Sequence, residues 1–115
     1  MTILTESVRA GEFIVAEANG TISREEIIIA AAAGALKAGT VMGKITASGK
    51  YVAYANGAAD GSEVAAGILY GPADDLAVDQ PGVIIARHAE VEETLLTGID
   101  APGKVDLAAF QILFR

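Results

Sequence analysis

The sequence predicts a mainly β domain with one or two short helices. Two observations predict it. The apolar residues fall in short runs rich in Val, Ile and Tyr, the side chains that suit a pleated surface. Those runs are punctuated by Asn-Gly, Asp-Gly, Gly-Pro and Pro-Gly pairs, the strongest local turn signals. The 115 residues fit one compact domain, and no repeat or low-complexity linker marks a second. We divide the chain into an extended N-terminal arm, residues 1–11, and a single β-rich domain, residues 12–115.

Residues 1–11 are polar at alternate places and lack helical periodicity, so they read as an arm. Residues 13–16, Phe-Ile-Val-Ala, read as a strand. Asn19-Gly20 then predicts a hairpin, with Glu26-Ile27-Ile28-Ile29 as its return segment. Residues 30–33 are alanines, but the neighbouring isoleucines and Gly34 favour strand or irregular structure over helix. Residues 40–46 read as a strand, Ala47-Ser48-Gly49 as a turn, and residues 50–54 as a second strand. Asn56-Gly57 and Asp60-Gly61 punctuate a loop. Residues 63–70 form a third strand, whose small residues admit a close neighbouring backbone. A polar loop opens at Gly71-Pro72 and ends at Pro81-Gly82. Residues 83–87 form a fourth strand, apolar enough to lie centrally. Residues 89–96 fit a short helix or a further strand. Pro102-Gly103 breaks the chain. Val105, Ala108 and Ala109 then recur at helical spacing, with Asp106 in the first turn, where the macrodipole favours an acid. Ile112-Leu113-Phe114 reads as a terminal strand.

Composition narrows the function. The apolar fraction is 52%, yet the chain has 3 Phe, 3 Tyr and no Trp, and Ala and Gly abound. Buried stabilisation scales with apolar area, so a core of small residues is expected to draw on subunit contacts. The formal net charge is −7, and the eight basic residues are scattered singly. A nucleic-acid partner needs clustered cations that displace phosphate counterions, and an anionic membrane needs the same. Neither is expected as a partner. Without cysteine, disulfides, thiolate chemistry and Cys-based zinc sites are excluded. The first ten residues carry Glu6 and Arg9 and no apolar run, so no secretory signal is read there. The most apolar run, residues 27–36, is about half the length that spans a bilayer.

No constellation for catalysis, metal or cofactor emerges. His88 is the only histidine and has no companion ligand or nucleophile, so it reads as a structural residue, exposed or partly buried. Asp74-Asp75 and Glu92-Glu93 are adjacent pairs, and neighbours on a strand face opposite ways. The first suits a solvated loop, the second a first helical turn. Asp60-Gly61-Ser62-Glu63 lacks the regular oxygen-ligand spacing of a calcium loop and reads as a turn. The stretch from Gly39 to Lys44 is one residue short of a phosphate loop, and Ile45 stands where Ser or Thr would hold magnesium. Asn19-Gly20-Thr21 fits a glycosylation sequon, but the hairpin explains it. No Gly-x-Ser-x-Gly occurs.

Recognition enters over residues 38–69. A leading Ala-Gly-Thr-Val-Met-Gly-Lys-Ile-Thr precedes a Lys-x-Val-x-aromatic strand and an Asp-Gly-x-x-x-x-x-Gly-Ile-Leu element. In this order they resemble the lambda-type phage head decoration protein family. Lys50, Val52, Tyr54, Asp60, Gly61, Gly67, Ile68 and Leu69 carry the match. The leader at residues 12–20 resembles the bacterial and prophage branch of that family, as does the strand at 83–87 with its short acidic sequel. The proline-rich linker ahead of the family's domain is replaced here by residues 30–37.

The resemblance implies a β-clip-like small domain and no enzymatic activity. It implies a homotrimer on the outer surface of the expanded capsid, in contact with the major capsid protein. The protein is then expected in the host cytoplasm during assembly and in the virion afterwards. It also implies an N-terminal arm that pairs with the capsid protein, with Ile3, Leu4, Thr5, Val8 and Phe13 as capsid-binding residues. An extended arm can add a strand to an exposed sheet edge, which suits that role. The alternative is a carrier or ligand-binding module of the biotinyl or lipoyl type. Lys50 follows Gly49 near a turn as a modified lysine would, but the Asp-Lys-Ala or Met-Lys-Met setting is missing.

Overall fold

A computed structural model describes residues 10–17, 23–75 and 77–115. The predicted hairpin turn at Asn19-Gly20 lies outside these. The fold is mainly β. In chain order it has β1 (Ile14–Glu17), β2 (Arg24–Ile29), β3 (Val41–Lys44), β4 (Tyr51–Ala53), β5 (Ala65–Leu69), β6 (Gln80–Ile85) and β7 (Ala89–Val91). A 3-10 turn (Glu93–Leu95), the helix α1 (Ala101–Ala108) and β8 (Ile112–Phe114) complete it. Five strands close a small barrel in the order β2-β4-β3-β5-β6, and β1-β7-β8 form a separate sheet.

One expectation fails at the start. β1 and β2 are not hairpin partners. β1 pairs antiparallel with β7, and β2 pairs antiparallel with β6 along its whole length. The Asn-Gly signal reports local turn chemistry only, whereas partner choice follows burial. Ile27 and Ile29 of β2 are needed inside the barrel, and Phe13 and Ile14 are needed beneath the small sheet.

The barrel strands explain the unbroken apolar runs. Consecutive side chains of a strand face opposite ways. Val41, Ile68 and Ile85 pack in one cluster with Phe13, Tyr54, Val91, Leu107 and Ile112. Their neighbours Met42, Leu69 and Ile84 pack in a second with Ile27, Ile29, Leu36 and Tyr51. So β3, β5 and β6 are buried on both faces, one toward the barrel interior and one toward the small sheet and α1. Gly43 shows how close the packing is. A Cβ there would lie 2.5 Å from the Ser62 carbonyl oxygen.

Pro81 and Gly82 belong to β6, not to the loop before it. The Tyr70 amide donates to the Val83 carbonyl (2.8 Å), so odd-numbered residues of β6 turn their backbone groups toward β5. The β5 pairing covers only the Ile84–Ile85 end, so the missing Pro81 N–H breaks no ladder bond. Residues 89–96 use both structures expected of them, first β7 and then the 3-10 turn.

The helix differs from expectation in its start and its buried face. Pro102-Gly103 opens α1 rather than breaking the chain. Asp100 is the N-cap, its carboxylate accepting the Gly103 amide at 2.8 Å, and proline is tolerated in a first turn because its N–H would be unpaired anyway. Asp106 therefore lies in the middle of the helix, where it accepts the Ala65 amide (3.0 Å) and moors α1 to β5. The buried positions are Gly103 and Leu107, so Val105, Ala108 and Ala109 face solvent.

Candidate functional site

Phe13 stands directly ahead of β1. Its side chain is fully buried among Val41, Val91 and Ile112, and its carbonyl accepts the Glu92 amide at 2.7 Å. The side chain expected to meet the capsid is thus packed within the domain, where it seals the gap between barrel and small sheet. Gly11 ties the chain down just before it, donating to the Tyr70 carbonyl at 2.9 Å. The other expected contact residues, Ile3, Leu4, Thr5 and Val8, lie outside the described residues.

Nearby, Arg24 stacks its guanidinium 4.3 Å from the centroid of the Tyr70 ring and pairs with Glu17 at 2.7 Å. Arg87–Glu25 and Lys50–Asp79 add further surface pairs, as do Lys104–Glu93 and Arg115–Glu90. Lys50 immediately precedes β4, where its carbonyl accepts the Ile45 amide and closes the β3–β4 turn, and its ammonium is held by Asp79. Together with the backbone amide of Ala31, it holds the Asp79 carboxyl below the usual range.

The residues considered for chemistry are dispersed. His88 is exposed and sits at positive φ between β6 and β7, where its carbonyl accepts the Ser23 hydroxyl and its amide donates to the Phe110 carbonyl. Asp74 and Asp75 are exposed in their loop, and the Asp75 carboxylate accepts the Gly34 amide. Asp60 caps its own turn, accepting the Ser62 hydroxyl and amide, which lowers its pKa. Gly39 adopts φ +87° where a Cβ would meet the Leu95 carbonyl at 2.8 Å, so it serves a close crossing of chains rather than a phosphate. Among the described residues no cluster of His, Asp or Glu is arranged to hold a metal ion. No helix among them is long and apolar enough to cross a membrane.

Two surface features remain that sequence reasoning missed. The outward side of α1 and the segment after it expose Val105, Ala108, Ala109, Phe110 and Leu113, with Val105 71% exposed. The spacing of Val105, Ala108 and Ala109 signalled an apolar face, but not that it points away from the core. The second feature is a groove at the weakest seam of the barrel, where β2 meets β4 through the single pair Ile29–Tyr51. Glu26, Ile28, Lys44, Gly49 and Tyr51 line it. The unbroken isoleucine run hid it, since Ile27 and Ile29 are buried while Ile28 is 45% exposed.

No curated protein matches the chain. A family model, that of the bacteriophage lambda head decoration protein D, matches residues 3–113. That span covers the barrel, the small sheet and α1, and it includes the arm positions Ile3 to Val8. The chain thus belongs to the bacteriophage lambda head decoration protein D family, whose place is on the phage capsid.

Proposed function

We propose that the protein binds the outside of the expanded phage head as a homotrimer and reinforces the shell against the outward pressure of packaged DNA. The observation that carries this reading is the family match, which runs through the arm and the whole domain. Its mechanism is mechanical. A ligand that binds only the expanded state stabilises that state by mass action. Three arms acting together convert weak individual contacts into avidity.

Two properties of the chain support the reading. The apolar side of α1, with Val105, Ala108, Ala109 and Phe110 in solvent, is the kind of patch that subunit contacts cover. The excess of acids disfavours contact with the packaged nucleic acid, so the work is done on protein surfaces. The partner is the major capsid protein, reached by Ile3, Leu4, Thr5 and Val8 in an added strand. The protein waits in the host cytoplasm until heads expand.

The test is co-sedimentation with expanded heads and with unexpanded shells. Binding to expanded heads alone is expected, and removal of residues 1–9 is expected to weaken it strongly. Full heads stripped of the protein should burst at a lower temperature. Equal binding to both shells, or unchanged bursting, refutes the clamp, and copies that sit singly rather than in threes on the head in electron micrographs refute the trimer.

A further inference from the structure

The groove beside β2 contains an unused hydrogen-bonding edge. The Ser23 carbonyl accepts the Ala86 amide (2.8 Å), so odd-numbered residues of β2 direct their backbone groups toward β6. The even-numbered residues point the other way. Ala30 confirms this by donating to the Tyr51 carbonyl of β4 (3.0 Å). That bond and the Ile29–Tyr51 bridge are where contact with β4 begins. The same bridge occupies the Ile28 carbonyl, which accepts the Tyr51 amide; below it the β3–β4 hairpin diverges, and the N–H and C=O of Glu26 and the N–H of Ile28 face the groove with no backbone partner among the described residues. Such an edge is a ready template for one more strand.

The side chains indicate what strand it takes. Ile28 stands exposed beside the edge. Of the two acids on this wall, Glu25 is already paired with Arg87, whereas Glu26 has no cation among the described residues. Lys44, on the opposite wall, has no carboxylate partner among them either. A second copy of this chain would bring another acidic wall to an edge already rich in acids, in a protein of net charge −7.

We propose that the β2 edge receives an extended segment of the capsid subunit, which pairs with the backbone of Glu26 and the N–H of Ile28 and sets a basic side chain against Glu26. This rests on the capsid-binding reading above and adds a second contact that does not involve the arm. The domain then both gives a strand and accepts one.

The experiment uses the full chain on expanded heads, read by sedimentation and by hydrogen exchange. The amides of Glu26 and Ile28 are expected to exchange freely in solution and to become protected on the head. Ile28→Pro removes one outward N–H and leaves the β6 ladder intact, so it should weaken binding about fivefold. Glu26→Lys should weaken it by a similar factor, more so at low salt. If Ile28→Pro does not fold, Glu26→Lys and the wild-type exchange pattern decide. Wild-type binding without new protection of these amides overturns the proposal, as does undiminished binding of Glu26→Lys. Protection that arises in the free protein on concentration assigns the edge to a second copy and also overturns it. Failure of the wild type to bind any head refutes the capsid reading instead.

Discussion

Replacing Phe13 with alanine separates a packing role from a capsid-contact role. The ring is fully buried and is one of the largest side chains in its cluster, which is otherwise Tyr54 and the aliphatic Val, Ile, Leu and Ala. Removing a buried Phe ring costs about 3–5 kcal/mol, the lost transfer energy plus the residual cavity. Relaxation should be limited here, because the Phe13 carbonyl is fixed by Glu92 and the ring edge sits against Gly39. A domain of this size has about 5–15 kcal/mol in total, so the loss is a large fraction. With an unfolding entropy of about 2 cal/mol/K per residue, 4 kcal/mol lowers Tm by roughly 17 °C. Urea titration followed by circular dichroism should show a lower midpoint at unchanged slope. Phe13→Leu should recover most of the loss and bind heads normally at a temperature where it is folded. A loss below about 1 kcal/mol, combined with abolished head binding, would refute the packing role and return Phe13 to the capsid surface.

Tyr54 makes stability fall at alkaline pH. Burial, and then its hydrogen bond and charge contact with Asp100, push its hydroxyl up to about 12. The folded state thus holds this proton more tightly than the unfolded state, whose value is near 10. The contribution is complete below pH 10 and is lost as pH rises from 10 to 12; Tyr54→Phe should flatten that part of the stability profile measured by urea titration. Asp100→Ala removes the helix cap and the partner of the Tyr54 hydroxyl together, and should cost about 2 kcal/mol in the same assay. Gly43→Ala should cost about 2–3 kcal/mol, since backbone atoms of Ser62 stand where its Cβ would go, while Gly57→Ala, with open space around it, should be nearly neutral. Equal thermal midpoints for these two glycine variants would contradict the packing at β3.

The strands with the strongest β character were legible: β3 through β6 fall within predicted segments, apart from the early start of β6, and β8 is as read. Their apolar runs are long because two cores claim alternate residues, and that is a local signal. The partners of β1 and β2 were not legible, because a turn dipeptide says nothing about which sheet each strand enters. The start of α1 was hidden by reading Pro102-Gly103 as a breaker when Asp100, two residues earlier, is a capping signal. The exposed face of α1 was misread for a related reason. In a helix of eight residues, Leu107 with the small Gly103 suffices for docking, and periodicity alone cannot say which stripe turns inward. The open edge of β2 depends on where the β3–β4 hairpin diverges, a tertiary fact absent from local pattern.

The alternation along β3, β5 and β6 also bears on how the molecule comes apart. Each of these strands is a partition one residue thick, with Val41, Ile68 and Ile85 on one side and Met42, Leu69 and Ile84 on the other. Neither compartment can lose its lining while the other stays sealed. Melting should therefore be a single concerted event, with calorimetric and van't Hoff enthalpies in agreement, even though the domain is built from a barrel and a separate sheet.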